Sequence, residues 1–544
     1  MVAEDNMNGR ARHFAHRHRR IIFTVVGMIF LSCCAPKAKV HVTPPAPTPQ
    51  LENRAAEAES FFKKGCYVGF EKAIEIYQEL YTQPAMKIKI LVPYLKALVL
   101  MAVREKELGI LDDKYIRRAR EVINENPSLQ SFAPYVKLAD TMYPKTKGII
   151  RDIDVMGTVK VVHDYLKNPK LKADMKLRAV SDDYYAYLYV SFYTNYAYYL
   201  DQKEDLSGFT KLYPNSILFK YKNATTYPHQ EPRLFEALVR AEPEFYEAYF
   251  HLGELAVGAE KPLDVEKDFF KPFEAEKNFL KAYEGIPESP QVTIYLAALY
   301  MALEEYDKSL DYYDKTLSLD PAYRDALLGK ASCLSYIGRY HEAIEILSKL
   351  VAMGFYLMGE SHYWLAWNYH ELKDNERAQL HIEESKSRLT SDSEVFSLAG
   401  TIALENNELE KAEKEFIESL RYNGRNINAI LGLGQVYAQK QKWLESALFY
   451  FNAAKLALQR ESEVAEYINQ IEKTTLAKER KARMVAKKEQ QVKNLEATKA
   501  AAYYNAAAGY FNAGLKGQAL EIAEKAASHP QFKEAAEQLI KKIK

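Results

Sequence analysis

A 34-residue spacing between small residues most constrains what this chain can fold into. Five such residues between positions 290 and 460 are separated by 34, 35, 34 and 34 residues, and a second small residue follows each of them twelve positions later. The pairs are Ala297 and Ser309, Ala331 and Ala343, Ala366 and Ala378, Gly400 and Ala412, and Gly434 and Ser446. A fixed period of about 20–50 residues indicates an array of stacked supersecondary units.

Large apolar residues complete the pattern and indicate what each unit is. Four residues after the second small residue comes a bulky apolar one: Tyr313, Leu347, Ile382, Phe416 or Tyr450. Small residues let two antiparallel helices approach closely, and large residues one helical turn away fill the space beside them. The pattern therefore predicts a helical hairpin in each unit.

These residues resemble the tetratricopeptide repeat (TPR) family, particularly in the segments Trp364–Tyr369 and Leu433–Tyr437. The resemblance implies an all-α fold, a TPR-type α-solenoid of antiparallel helical hairpins, over residues 231–460. It also implies a concave groove that binds an extended peptide or a partner helix, in a family that is generally not catalytic. The expected units lie near 245–289, with a lengthened loop, and at 290–323, 324–358, 359–392, 393–426 and 427–460.

The remaining folded segments repeat less clearly. Residues 51–230 are expected to form a divergent TPR-like helical region, with a separate small α domain as the alternative. Residues 461–499 contain no Pro or Gly and are expected to form a long basic connecting helix. Residues 500–544 are expected to hold a further TPR-like unit and an amphipathic capping helix, because a repeat array needs an end with one polar face.

Groove residues can be transferred from the resemblance position by position. Tyr363 and Trp367 are the aromatic candidates of the third clear unit, and their alternative role is to pack against the adjacent hairpin. The Lys and Asn residues with which some TPR proteins hold a terminal carboxylate are replaced here, for example by Ala298 and Thr401. The expected groove residues are Ile294, Met301, Leu328, Tyr336, Tyr363, Trp367, His370, Leu431 and Gln435.

The N-terminus has the layout of an export signal. A basic run ends at Arg20, an apolar stretch covers residues 21–32, and Cys33 follows a small residue. The segment Phe30–Cys33 resembles the lipobox of bacterial lipoproteins, which implies a signal peptide over 1–33 and lipidation of Cys33, with Cys34 as the alternative. Residues 34–50 are rich in proline and predict a stiff tether. An uncleaved membrane anchor is the other interpretation of this segment.

Charge excludes one class of partner and suggests another. Lys and Arg number 74 against 73 Asp and Glu, so the overall balance does not favour binding to nucleic acid. Residues 472–493, however, carry eight basic residues against three Glu. This basic helix is expected either to meet anionic lipid or an acidic partner, or simply to be a solvated connecting helix.

Motifs for catalysis or metal binding are missing from the sequence. It contains no Gly-rich phosphate loop, no His-Glu-x-x-His and no Cys-x-x-Cys pair, so we expect no enzyme activity, cofactor or metal site. His362 and His370 are too far apart along one helix to share a metal ion. The expected function is a membrane-anchored scaffold or adaptor that binds other proteins of the bacterial cell envelope, on the periplasmic side or at the outer membrane. The alternative is a surface-exposed adhesin that binds host or extracellular ligands.

Overall fold

The computed structural model describes residues 46–110, 112–141, 168–200, 207–226, 232–257, 271–354 and 358–544. Within these ranges every regular element is a helix, so the all-α prediction is confirmed. The expected signal peptide, Cys33 and Cys34 lie outside the described residues, as does nearly all of the expected tether. The first helix already begins at Pro49, where the Thr48 hydroxyl accepts a hydrogen bond from the Leu51 N–H at 3.4 Å.

The N-terminal half consists of helices of unequal length. Pro occupies the first turn of several of them, where the missing N–H has no intrahelical partner to lose. The elements are α1 (Pro49–Lys63), α2 (Tyr67–Tyr81), α3 (Pro84–Glu107), α4 (Lys114–Glu125), a 3-10 turn (Pro127–Phe132), α5 (Ala133–Thr141), α6 (Pro169–Ser181), α7 (Asp183–Leu200), α8 (Ser207–Leu212), α9 (Ile217–Thr226) and α10 (Pro232–Ala241).

One continuous hydrophobic core holds this half together. It extends from Ala58 to Ile286 and so crosses residue 230, where the sequence suggested a boundary. The aromatic stretch that begins at Tyr184 is buried on all sides through its first two turns, since Tyr184, Tyr187 and Tyr189 are at most 1% exposed. These rings therefore form part of the core and not of an open surface.

The repeat region consists of antiparallel hairpins in register with the 34-residue period. The pairs are α11 (Tyr246–Val257) with α12 (Lys271–Gly285), α13 (Pro290–Ala302) with α14 (Tyr306–Leu319), α15 (Arg324–Tyr336) with α16 (Tyr340–Met353), α17 (Met358–Glu371) with α18 (Asn375–Lys386), α19 (Ser393–Glu405) with α20 (Leu409–Tyr422), and α21 (Ile427–Gln439) with α22 (Trp443–Glu472). After them come α23 (Lys478–Asn512), α24 (Lys516–Ala527) and α25 (Lys533–Ile543).

Contacts inside each hairpin explain the spacing of small residues. A Cβ atom added to Gly400 would lie 2.6 Å from Cδ1 of Phe416, so a larger residue would force the two helices apart. In the first and fifth units a hydrogen bond joins the two small residues. The Ser309 hydroxyl donates to the Ala297 carbonyl at 2.9 Å, and the Ser446 hydroxyl donates to the Gly434 carbonyl at 2.8 Å.

Each of the five repeat hairpins between α13 and α22 turns on one residue in the left-handed region. Gly338 has φ of +79°, and non-glycine residues with φ between 57° and 61° occupy the equivalent position in the other four units. They are Glu304, Lys373, Asn407 and Gln441. A non-glycine residue costs roughly 1–2 kcal/mol in this conformation. Only the glycine gives a sequence signal, so the repeated packing of the hairpins imposes this turn at the other four.

The single helix expected over residues 461–499 is divided in two. α22 ends at Glu472, residues 473–477 reverse the chain, and α23 packs back along α22. Beside the reversal the Thr474 hydroxyl donates to the Ile471 carbonyl at 2.7 Å. The prediction failed because helix propensity alone does not fix where a helix ends when tertiary packing favours a reversal. We refer to the paired segments of α22 and α23, residues 457–499, as the long hairpin.

Candidate protein-binding groove

Five aromatic rings from three consecutive repeats lie in contact and form an aromatic cluster: Tyr306, Tyr336, Tyr363, Trp364 and Trp367. Tyr306 of the first unit stacks on Tyr336 of the second, with ring centroids 5.9 Å apart and planes 14° from parallel. Tyr336 meets Trp364 of the third unit edge to face at 5.2 Å. Trp367 lies 6.1 Å from Trp364 and 6.4 Å from Tyr363. The cluster is therefore continuous across three units.

Exposure within the aromatic cluster shows that it serves both core and surface. Tyr336 is 56% exposed, whereas Tyr363, Trp364 and Trp367 are half-buried and pack against the core of the second and third units. Tyr363 and Trp367 thus pack against neighbouring hairpins while part of each side chain stays accessible. Large half-buried aromatics next to an exposed one are the residue types that most often dominate the energy of protein–protein binding.

Other predicted groove residues do not join this cluster. Ile294 and Met301 are half-buried against the core of the first two units, and Leu328 packs against the core of the next. Leu431 packs against two buried clusters to which α23 contributes, for example through Ala502 and Ala506. The Nε2 atom of His370 lies 3.2 Å from the Oε1 atom of Glu405. Gln435 is exposed on the fifth unit, away from the aromatic rings.

Three carboxylates, which sequence reasoning missed, run along the same first helices. Asp325, Glu360 and Glu394 lie in the first turns of α15, α17 and α19, each six residues before the small anchor of its unit. We call them the acidic row. Their spacing of 35 and 34 residues was visible in the sequence, and alignment on the anchors would have revealed it.

The acidic row affects the electrostatics of the aromatic cluster. Burial raises the pKa of Glu394, and the negative charge of Asp392 raises it further. Burial raises the pKa of Tyr363, and the carboxylate of Glu394 adds to that shift. Burial likewise raises the pKa of Asp325, with Glu360 contributing in the same direction. Asp325 and Glu394 nevertheless keep an exposed surface. Exposed carboxylates on the helices that carry aromatic rings form an environment that favours a cation.

Basic residues of the long hairpin already occupy one end of this surface. The Arg480 guanidinium pairs with Glu276 and lies 3.4 Å from Glu305 Oε1, with its Cζ 5.0 Å from the centre of the Phe273 ring. The Lys487 ammonium donates to the Glu304 carbonyl and lies 5.7 Å from the centre of the Tyr306 ring. The basic segment predicted at 472–493 therefore meets acidic groups of its own chain and is not simply a solvated connector.

The histidines pair differently from the pair considered in the sequence, and two cysteines are buried. His362 pairs with His381, with their Nδ1 atoms 2.9 Å apart, and not with His370. Cys66 and Cys333 are both buried and carry free thiols. Within the described ranges no group of three or more His, Cys, Asp or Glu residues is arranged to hold a metal ion. Among the helices that the structure describes, none combines the length and apolar character needed to cross a bilayer.

Comparison with known proteins gives partial similarities. No family model matches the chain. The chain is 24% identical to human protein O-mannosyl-transferase TMTC1 over 165 residues, which is 30% of this chain and 19% of that protein. It is 41% identical over 49 residues to an uncharacterised protein of Methanocaldococcus jannaschii, covering 9% of this chain and 57% of that protein. The matched part thus covers about a fifth of the length of the human protein and rather more than half of the length of the archaeal one.

Among solved structures, a chain of the APC/C hetero-tetramer Cut9–Hcn1 is similar at 13% identity, covering 91% of this chain and 93% of its own length with a TM-score of 0.39. The fold assignment rests on the chain's own repeats. Five consecutive hairpins keep a period of 34 or 35 residues, pack small anchors against large apolar residues and reverse at equivalent positions. That is the architecture of the tetratricopeptide repeat. The repeat region therefore has the fold of a TPR-type α-solenoid.

Proposed function

We propose that this protein is a protein–protein interaction scaffold whose partner binds the aromatic cluster formed by the first three repeats. The observation that carries the proposal is the continuity of Tyr306, Tyr336 and Trp364 across three units, with Tyr336 open to solvent. Stacked hairpins present such surfaces along a curved face, where each repeat adds contacts to one bound segment.

Affinity capture of the full-length protein from membrane extracts tests this proposal. We expect Tyr336→Ala to reduce recovery of bound partners several-fold, and Tyr363→Ala with Trp367→Ala to abolish it, because large aromatic side chains commonly contribute 2 kcal/mol or more to binding (order of magnitude). Tyr336→Ala is the more informative change, since its exposed ring can be removed with little effect on folding.

The matched control is Leu380→Ala, which removes a side chain that is 62% exposed on the second helix of the third unit. It should leave partner recovery unchanged. Recovery of the same partners by the Tyr336→Ala protein and by the double variant, with both folded by circular dichroism, would show that the aromatic cluster is not the binding surface.

We further propose that the scaffold is a bacterial lipoprotein, held at a membrane of the cell envelope through Cys33 or Cys34. The support is the order of a basic run, an apolar stretch and a cysteine, followed by the proline-rich residues 34–50. Acyl chains contribute about 0.8 kcal/mol per buried methylene, so a multiply acylated terminus holds a folded chain at a bilayer.

Mass spectrometry of the mature N-terminus tests the anchor. A diacylated or triacylated cysteine at the terminus is expected, and Cys33→Ser or Cys34→Ser identifies which thiol carries it. An unmodified, freely soluble terminus would contradict the proposal. Protease treatment of intact cells then distinguishes the two locations, because a periplasmic scaffold is protected whereas a surface adhesin is digested.

A further inference from the structure

We propose that the partner segment is basic, and that its Lys or Arg side chains lie between the aromatic cluster and the acidic row. This inference rests on the proposed function and specifies the chemistry of the partner. The aromatic rings offer faces to which a cation is attracted, and Asp325, Glu360 and Glu394 offer carboxylates at a repeat of 34–35 residues along the same helices.

The first reason is charge complementarity at the exposed end of the cluster. Glu394 lies close enough to Tyr363 and Tyr336 to raise the pKa of both phenols, although burial is the larger cause for each. Its Oε1 atom accepts a hydrogen bond from Asn426 Nδ2 at 3.1 Å. A neutral amide thus orients the carboxylate and leaves its charge available to a ligand.

The second reason is that the chain itself shows a basic segment bound on the adjoining surface. Arg480 pairs with Glu276 and Glu305, and Lys488 Nζ donates to Glu304 Oε1 at 3.2 Å. Both basic side chains are only 18% exposed, so these contacts are largely removed from water. A helix with Lys and Arg on one face therefore fits the acidic and aromatic groups of the first repeats.

Tyr306 connects the two parts of this surface. The Lys487 ammonium lies 5.7 Å from the centre of the Tyr306 ring. The same ring stacks on that of Tyr336, with centroids 5.9 Å apart. The long hairpin thus reaches the edge of the aromatic cluster, while Tyr336 remains 56% exposed beyond it. Beyond the long hairpin, Tyr336, Tyr363 and Glu394 belong to the second, third and fourth units, and Glu394 acts on both phenols. This part of the surface is where a second basic segment, supplied by a partner, would bind.

Two peptides test the inference on the full-length protein. The first has the sequence of residues 478–489 of this chain, Lys-Glu-Arg-Lys-Ala-Arg-Met-Val-Ala-Lys-Lys-Glu, and the second has Gln at every Lys and Arg. Two of the three tryptophans belong to the aromatic cluster, so intrinsic fluorescence reports binding there. We expect saturable binding of the basic peptide only, weakened by added salt because screening reduces charge attraction.

Two variants locate the bound peptide. Glu394→Gln should weaken binding about five-fold, since an exposed ion pair contributes up to about 1 kcal/mol. Glu345→Gln should have no effect, because that carboxylate is exposed on the second helix of its unit, where it pairs with Lys349. Binding that Glu394→Gln leaves unchanged would mean that the peptide only replaces the long hairpin at Glu276 and Glu305, and the inference would fall.

The remaining outcomes separate this inference from the proposed function. Equal binding of the basic and the Gln peptide, or no binding of either, overturns a basic partner. If captured partners are nevertheless lost in Tyr336→Ala, the aromatic cluster is still the binding surface and the scaffold proposal stands. If affinity capture with Tyr336→Ala and with the double variant still recovers the partners while the basic peptide binds as expected, the scaffold proposal is wrong and only the affinity for basic segments remains.

Discussion

The two halves of this helical protein are stabilised in different ways. The N-terminal half shares one continuous core from Ala58 to Ile286, which joins residues far apart in sequence. The repeat region is divided into several small clusters, each made by one hairpin and its neighbour, such as the one that contains Phe416 and Leu433. A repeat array has approximately additive, nearest-neighbour stability, whereas a single core unfolds as one unit.

A buried ionic network is the clearest mark of the N-terminal half. Arg104 is fully buried and pairs with Glu247, which also accepts the Tyr67 N–H at 2.6 Å. Burial alone would raise the pKa of Glu107, but Lys222 and Arg104 outweigh it and hold the pKa below its ordinary value. Because Glu247 lies on the first repeat helix, α11, the network fastens the first repeat hairpin to the N-terminal core.

The largest predicted effect is at Glu247. Glu247→Ala leaves the Arg104 guanidinium buried without its main counter-ion, which costs about 3–5 kcal/mol of unfolding free energy. Urea denaturation should show the N-terminal half unfolding at a lower concentration. Glu236→Ala, which removes an exposed carboxylate one helix earlier, should shift the midpoint little. Equal midpoints for the two variants would show that the network does not stabilise this half.

The second prediction concerns Glu105, which is 1% exposed and whose carboxylate oxygens have no hydrogen-bond partner among the described residues. Burial raises its pKa to about 8. The folded chain therefore keeps this proton while the unfolded chain releases it, and the free energy of unfolding should fall by a few kcal/mol between about pH 5 and pH 8. Glu105→Gln should largely remove this fall, whereas Glu121→Gln should retain it. An unchanged pH profile in the first variant would contradict the assignment.

The third prediction concerns the repeat region. Gly400→Val places a side chain where even a Cβ atom would lie 2.6 Å from Phe416, and overpacking of this kind costs about 1–3 kcal/mol. Hydrogen exchange should become faster in α19, α20 and the adjoining hairpins, with little change in α1–α5. Gly517→Ala is the control, because a Cβ atom there has nothing within 4 Å. Uniformly faster exchange over the whole chain would contradict nearest-neighbour stability.

The smallest effect should come from the His362–His381 pair. Burial lowers the pKa of His381 to about 4, with His362 adding to the shift, and burial also lowers the pKa of His362. The negative charge of Glu384 acts to raise both pKa values. The positive charge of Arg377 lowers the pKa of His381, and that of Arg388 lowers the pKa of His362. The stability that the neutral pair contributes is complete above about pH 6.5 and declines as the pH falls towards 4.

Hydrogen exchange of α17 and α18 at pH 7 and pH 5, corrected for the intrinsic exchange rate, measures this decline. His381→Phe keeps an aromatic ring against Tyr369, on which His381 stacks at 5.5 Å, and should remove most of the pH dependence. His341→Gln changes an exposed histidine of the second unit and should preserve it. The N-terminal half and the third unit are therefore expected to respond to pH with opposite signs.

The sequence predicted the repeats well and the site only in part. Tyr336, Tyr363 and Trp367 were predicted for the groove and do lie together, because the anchor spacing fixes which face of each first helix they occupy. Leu431 was predicted for the same groove, but it packs against a cluster that includes residues of α23. No sequence pattern in the fifth unit predicts this contact. The acidic row was overlooked although its spacing is regular, since single carboxylates in first turns are common at helix starts.

By itself, the sequence determined the period of the repeat hairpins and which residues pack between their two helices, because close packing of two neighbouring helices requires small and large residues at fixed local offsets. Only the tertiary structure decided that the long hairpin returns to the first repeats. Arg480 and Glu276 are 204 residues apart, and their pairing depends on the curvature accumulated over the intervening units. No periodic pattern encodes such a contact, because each unit specifies only its immediate neighbours.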